Sequence, residues 1–438
     1  MTPVRTIAAG AGFAGDRTDP AVTLAASGEV NAIVLECLAE RTIVPGIRAR
    51  RANPEAGADP RLRRRLSSLL PAARVGKCRI ISNLGAANPA AAGRQIAALA
   101  GEQGWHGMRV AAVLGDAVLH LRDMVEWDAP VDGELIGAHA YLGTAPLIEA
   151  VRSQADIIVT GRVADSALFA AELVPYINAD DNAFAAAIAL GHLLECTGQI
   201  SGGNFEAPGG DTLTGADYAA LGYPLARVAA DGTATISLLP RARGRVDRFT
   251  CTLQLLYEVH DPAAYITPDA VVDFTGVVFE EVDHNAVRVS GARVVGRPTH
   301  LKVSGFVERR GAIADVEIGY AGGDALGRAR EAAEALNLRL ADLPAGTMRV
   351  DLVGVNSILG SASQISNAHP AEVRVHISAS LDDPELAQMI EDEVYALTIS
   401  GPAGGGSVRS ERRARLEVVD GLIPRELVKT AVEWVQVP

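Results

Sequence analysis

The first half of the chain alternates short apolar runs with longer stretches whose apolar residues return at helical spacing. Val4–Ala9, Ala32–Leu35, Arg79–Ser82, Arg109–Leu114 and Asp156–Thr160 are the β-type runs. They are apolar nearly throughout, the pattern of strands covered on both faces. Between them, Asp19-Pro20 opens a helix as cap and first helical residue, and Asn88-Pro89 opens an Ala-rich one. Asp116 reads as another helix start, Ala164-Asp165 leads into a helix through Phe169, and Asn182–Gln199 reads as a long helix. This alternation predicts an open, mostly parallel α/β sheet with helices on both faces.

The pattern changes after Gly202. Residues 225–320 carry β-type runs punctuated by Gly and Pro: Ala234–Leu239, Phe249–Tyr257, Ala270–Phe279, Ala286–Val289, Leu301–Val307 and Ile313–Ile318. They predict an antiparallel β extension. Asp324–Leu340 reads as a helix with Ala325, Ala329, Ala332, Ala333 and Leu336 on one face. Asp342-Leu343-Pro344-Ala345-Gly346 marks a boundary. Beyond it come strands Met348–Val355 and Glu372–Ser380, a helix Pro384–Thr398, a Gly-rich loop Gly401–Gly406, a strand Arg412–Val419 and a short closing element. We therefore expect an α/β core over residues 1–341 and a small α+β, ferredoxin-like domain over 347–438.

Composition narrows the function classes. Apolar residues make up 48% of the 438, aromatics only 4%, so the core is aliphatic. A net charge of −13 argues against nonspecific binding to nucleic acid or to an anionic membrane. Cys37, Cys78, Cys196 and Cys251 are scattered with no CxxC spacing, which fits a reducing compartment and gives no metal site. The longest apolar stretch, Phe184–Leu194, is too short to span a bilayer, and the expected location is the cytoplasm.

Ligands of open parallel sheets bind at the carboxyl ends of the strands. The loops there are glycine-rich: Gly10–Arg17, Ser82–Asn88, Gly115-Asp116 and Thr160–Ser166. Gly12, Gly15, Gly85 and Gly161 let backbone approach a ligand, Arg17 and Arg162 suit a carboxylate or phosphate, and Asn83, Asn88, Asp116 and Asp165 add polar contacts. The same residues serve equally well as turn and cap formers. Gly10-x-Gly12-x-x-Gly15 also matches a dinucleotide fingerprint, with Glu36 the acidic residue downstream. Asp16, however, places a negative charge where phosphate would lie, and the helix begins only at Asp19. Glu36, at a strand end, is a candidate acid or base. His192, Glu195, Cys196 and Gln199 fall on one helix face without Lys or Arg, either lining a polar cavity or forming a buried hydrogen-bonded patch. Gly202, Gly203 and Asn204 follow as a backbone nest. Arg48, Arg50, Arg51, Arg61, Arg63, Arg64 and Arg65 form either a solvated helix face or a nucleotide-phosphate contact.

The ordered segments GFAGDR, AERT, SNLGAANP, TGRVADSAL, GHLLECTGQISGGNFE, LLYEVHDPAAYITPD, VRVSGAR and LKVSG resemble the acyclic terpene utilisation (AtuA) family over roughly residues 4–335. The tail from about 347 resembles the ferredoxin-fold module that accompanies it. The resemblance implies a bacterial catabolic role beside acyl-CoA carboxylation and breakdown, without a settled reaction. Residues 49–66 depart from the family pattern in being Arg-rich. The expected activity is that of an acid–base hydratase or lyase on a small carboxylate or acyl-CoA thioester. Asp16, Glu36, His192 and Arg162 are the catalytic candidates. No cofactor is expected apart from coenzyme A as part of a substrate, and self-association into a homo-oligomer is expected. The alternatives are a non-catalytic acyl-CoA-binding or carboxylase-associated partner and an NAD(P)-dependent oxidoreductase.

Overall fold

The computed structural model describes residues 4–207, 209, 212–344, 347–363 and 370–437. The chain forms two compact units. One comprises Met1–Ala129, Ile136–Gly305 and Val419–Pro438; the other comprises Pro130–Leu135 and Phe306–Val418. Within the predicted boundary segment, Ala345 and Gly346 lie outside the described residues.

The first unit is built on a ten-stranded mixed sheet. Its centre is five parallel strands: β1 (Arg5–Ala11), β2 (Ala32–Leu35), β3 (Arg79–Ser82), β4 (Arg109–Leu114) and β5 (Ile157–Thr160). They lie in the order β1-β2-β3-β5-β4. Each is buried on both faces, and neighbouring residues divide between two cores. Ile7, Ala9, Val34, Ile81, Ala111, Val113 and Ile158 pack on one side with helices Ala145–Arg152, Asp165–Leu173 and Asp181–Glu195. Ala8, Ile33, Leu35, Ile80, Val110, Ala112, Ile157 and Val159 pack on the other with helices Asp19–Ala26, Leu62–Gly76 and Pro89–Glu102. Helices therefore cover both faces of the parallel part.

The sheet is not mostly parallel. On one side of β1 it continues as Leu225–Val228, Ala234–Ser237, Ala286–Ser290 and Val278–Asp283, all antiparallel. Tight connections through Gly232 and Asn285, both at positive φ, join these neighbours, and a short turn can link only antiparallel strands. Ala431–Gln436 closes the other edge antiparallel to β4. A separate three-stranded sheet holds Tyr265–Ile266, Val271–Asp273 and Arg293–Gly296.

Several expected elements differ, among them Ala270–Phe279, which forms two strands, Val271–Asp273 and Val278–Asp283, in different sheets. Asp116 starts no α-helix: its side chain bonds to His139 and the Arg162 amide, and only a 3-10 turn, Leu119–Met124, follows. Phe249–Tyr257 is not a strand but lies largely in the helix Arg248–Leu256, which Asp247 and Thr250 open through a capping box. The long helix stops at Glu195, and Gln199 belongs to a separate 3-10 turn, so it does not continue the His192–Glu195 face.

In the second unit, strand Met348–Val353 pairs with Glu372–Leu381, which pairs in turn with the long strand His300–Ala321. Leu301–Val307 and Ile313–Ile318 are thus one continuous strand. Gly406–Pro424 follows on the far side of it. Helices Ala325–Arg339 and Pro384–Ser400 contribute to one core with Ala314, Val316, Ile318, Val373, Val375 and Ile377.

Candidate active site

The loops leaving β1, β2, β3, β4 and β5 all emerge at the carboxyl ends of the parallel strands. Arg162, two residues past β5, is their charged centre and is only 3% exposed. One guanidinium nitrogen donates to the Leu38 carbonyl and the other to Asp165 Oδ1 at 3.0 Å. Its Nε is buried and has no hydrogen-bond partner among the described residues. The guanidinium lies 4.3 Å from the Tyr141 ring centroid, and Lys302 Nζ lies 5.3 Å from the same ring. The Tyr141 hydroxyl donates to Glu40.

Around Arg162 stand two carboxyl groups with displaced proton affinities. Glu36 Oε1 accepts from the Leu38 amide and from Asn83 Nδ2, each at 2.8 Å. Withdrawal from water pushes its pKa up to about 7 against the pull of the Arg162 charge and of these hydrogen bonds. Asp165 is recessed, with 36% of its side chain still reached by solvent. The surrounding protein holds its pKa well above the carboxylate range; Arg162 opposes this, and Glu36, Glu195 and Glu40 reinforce it. Asp165 lines a cleft of about 660 Å³ with Tyr141, Tyr265, Ile266, Pro268 and Val271, and with His300 and Lys302 on β-strand His300–Ala321. Ile266 is 70% exposed, so the cleft offers both an apolar wall and cations.

The other residues singled out in the sequence take varied places. Both Asp16 oxygens are engaged, one by the Gly12 amide at 2.8 Å and one by the Tyr223 hydroxyl at 2.9 Å. Asp16 thus closes its own turn and occupies the amide that a phosphate would need. Gly12 sits so close to the end of helix Asp181–Glu195 that a Cβ there would lie 2.4 Å from the Glu195 carbonyl. Gly15 faces the Phe13 ring, and Gly85 lies against the Thr160 carbonyl. Asn83 accepts from the Cys37 amide at 2.7 Å and supports Glu36, while Asn88 caps helix Pro89–Glu102 and bonds to the Pro54 and Ala56 carbonyls. Asp116 lies directly against Gly161 and holds the Arg162 amide at 2.8 Å. His192 and Glu195 face each other at 2.9 Å. Gln199 keeps a buried Nε2 that has no partner among the described residues. The Gly202 and Gly203 amides donate to Gln199 and Gly198 carbonyls, and Asn204 is exposed at positive φ. Arg17 pairs with Asp19 beside a second cleft, lined also by Tyr223 and Arg241. Burial pushes the Cys37 and Cys196 thiols up, away from nucleophilic thiolate.

Sequence reasoning missed Glu40, Tyr141 and Lys302. Each lies outside the glycine-rich loops, and only the scarcity of aromatics marks out Tyr141. The Arg-rich stretch divides. Arg65, 1% exposed, donates to the carbonyls of Phe13, Ala14 and Asp16, and Arg50 donates to that of Ala87, so two of these arginines clamp loops at the strand ends. Arg63 is a surface partner of Glu102.

No helix among the described residues is long and apolar enough to cross a membrane. No curated protein and no solved structure matches the chain. The family model described as "Acyclic terpene utilisation family protein AtuA" matches residues 5–434, reaching well beyond the residue 335 at which the motif resemblance ends. A match over nearly the whole length places both compact units within it, and the chain belongs to the acyclic terpene utilisation AtuA family.

Proposed function

We propose that this protein is an acid–base catalyst that adds water to, or removes it from, a branched acyclic acyl substrate carried as a carboxylate or an acyl-CoA thioester. The observation that carries the reading is the pairing of Glu36 and Asp165 around the buried guanidinium of Arg162, at the carboxyl ends of the parallel strands. Two neighbouring carboxyl groups whose proton affinities burial raises are suited to acid–base roles. Asp165, whose surroundings raise its affinity for a proton and which faces the cleft, is the acid. Glu36, near half ionisation, is the base. In the dehydrating direction Glu36 takes the proton from the carbon next to the carbonyl, and the C–O bond of the hydroxyl breaks as Asp165 protonates it. A carbon–carbon double bond and water are left. Lys302 and His300 suit the anionic part of the substrate, and Ile266, Pro268 and Val271 suit its hydrocarbon.

The second unit we read as a ferredoxin-like module. Its strand–helix–strand–strand–helix–strand order, with the first and third strands adjacent, supports this.

The test is turnover of a branched α,β-unsaturated acyl thioester, followed by loss of enoyl absorbance. Asp165→Asn and Glu36→Gln are each expected to lower kcat by about 10²-fold or more. Arg17→Ala, at the other cleft, is expected to leave kcat unchanged. Turnover unaffected by both carboxyl substitutions would overturn the reading.

A further inference from the structure

We infer that His192 and Glu195 form a proton-holding pair that sets the charge felt by the Glu36–Asp165 group, which makes His192 a positioning residue and not a group that touches substrate. The catalytic use of the pair rests on the acid–base reading above; its electrostatic role does not.

The inference starts from counting protons. His192 Nε2 lies 3.2 Å from the Leu255 carbonyl oxygen, and Nδ1 lies 2.9 Å from Glu195 Oε1. A carbonyl only accepts, so Nε2 carries a hydrogen. A neutral imidazole has no second one to offer. The Nδ1–Glu195 contact therefore needs one more proton, either on the ring facing a carboxylate or on the carboxyl facing the ring. In both forms the pair as a whole is neutral and holds its proton internally. The ring cannot turn away from this choice. It is buried, stacked on Phe274 at 5.7 Å and tilted against Tyr265 at 4.9 Å, and Gln254 Nε2 donates to the His192 backbone carbonyl at 3.0 Å.

Location gives the pair its consequence. Gly12 lies against the Glu195 carbonyl, one residue from Ala11, whose carbonyl accepts from the Glu36 amide, and Gly191 lies against the carbonyl of Ser166, next to Asp165; from that place the Glu195 charge raises the proton affinity of both carboxyls. On the histidine, burial works against the charged ring, but the Glu195 carboxylate, its hydrogen bond, the Leu255 carbonyl and Glu258 outweigh it. Cys196, on the helix's own C-cap, Tyr265, from the facing strand, and Tyr257, which the Glu195 charge also reaches, are further titratable groups here, and each has its proton affinity raised. His192 thus supplies the counter-charge that keeps Glu195 from loading the catalytic carboxyls with protons.

Two neighbouring substitutions separate this role from simple packing, because they act in opposite directions. The readout is the infrared carbonyl stretch of protonated buried carboxyl groups, followed against pH and assigned by its loss in Asp165→Asn and Glu36→Gln. His192→Gln removes the counter-charge, so the midpoint is expected to rise by about one pH unit. Glu195→Gln removes the negative charge, so it is expected to fall by a similar amount. Unchanged midpoints, or shifts of both variants in the same direction, overturn the inference. Should either variant fail to fold, the histidine ¹⁵N spectrum of the unsubstituted protein decides: one ring is expected to keep Nε2–H across the titration with Nδ1 in a strong hydrogen bond, and nine rings that all titrate near 6.5 as free imidazoles would contradict it. Opposite midpoint shifts combined with full turnover in Asp165→Asn would leave the pair's electrostatic role standing and remove the acid–base reading.

Discussion

Glu36 sits where two requirements conflict. Folding withdraws its carboxyl from water, which favours the neutral form, while Arg162 and two hydrogen bonds favour the charged one. With its pKa raised to about 7, the folded protein binds a proton there that the unfolded chain releases near 4.5. The sign follows directly: the contribution of Glu36 to stability is complete below pH 4.5 and is lost as the pH rises to about 7. Glu36→Gln is therefore expected to gain on the unsubstituted protein between pH 5 and 8, by on the order of 2 kcal/mol. Urea unfolding at several pH values checks this, and parallel stability curves would refute it. Gly12 makes a different kind of prediction. A methyl group there meets the Glu195 backbone, so Gly12→Ala is expected to cost about 1–3 kcal/mol, read as a lower urea midpoint.

The elements that carry the site were the easiest to find in the sequence. The runs Ala32–Leu35, Arg79–Ser82 and Arg109–Leu114 read as strands because burial on both faces leaves them apolar but for Arg79, Ser82 and Arg109, and the structure places strands over these same residues. Asn88-Pro89 opens its helix as its chemistry demands, whereas Asp19 is the first helical residue and not the cap, the cap position falling to Thr18 without a side-chain bond. Elsewhere local signals competed. Phe249, Cys251, Leu253 and Leu255 alternate as in a strand, yet the Asp247–Thr250 capping box and the packing of Cys251 and Leu255 make the segment helical. Asp247→Ala is expected to cost about 1 kcal/mol, measured by urea unfolding, and a neutral result would show that packing alone holds this helix. Gly311, between the two runs, made one 22-residue strand look like two; at φ +99° it lies against the Leu381 carbonyl, where a side chain has no room. The site itself was half legible. Arg162 and Asp165 stand in a glycine-bearing turn and Glu36 at a strand end, whereas Glu40 and Lys302 lie in the segments AERT and LKVSG, where nothing marks them for chemistry, and Tyr141 lies in no quoted segment.

For the molecule as a whole, the last strand matters as much as the first. Ala431–Gln436 lies more than 300 residues from β4 in sequence but pairs with it along its length and closes the edge of the large sheet. Removing residues 431–438 would expose that edge, including Val110 and Val113, as a template for another chain. The expected outcome is concentration-dependent aggregation seen by light scattering, with the parallel core retained; a monodisperse truncated protein would contradict it. The central claim is that chemistry takes place at the carboxyl ends of the parallel strands, with Asp165 facing the substrate. The most direct measurement is a crystal structure of the protein bound to a non-reactive branched acyl thioester analogue. The account predicts density in the cleft between Asp165, Tyr265 and Lys302, with the hydroxyl-bearing carbon against the Asp165 carboxyl. Density confined to the cleft beside Arg17 and Arg241 would contradict it.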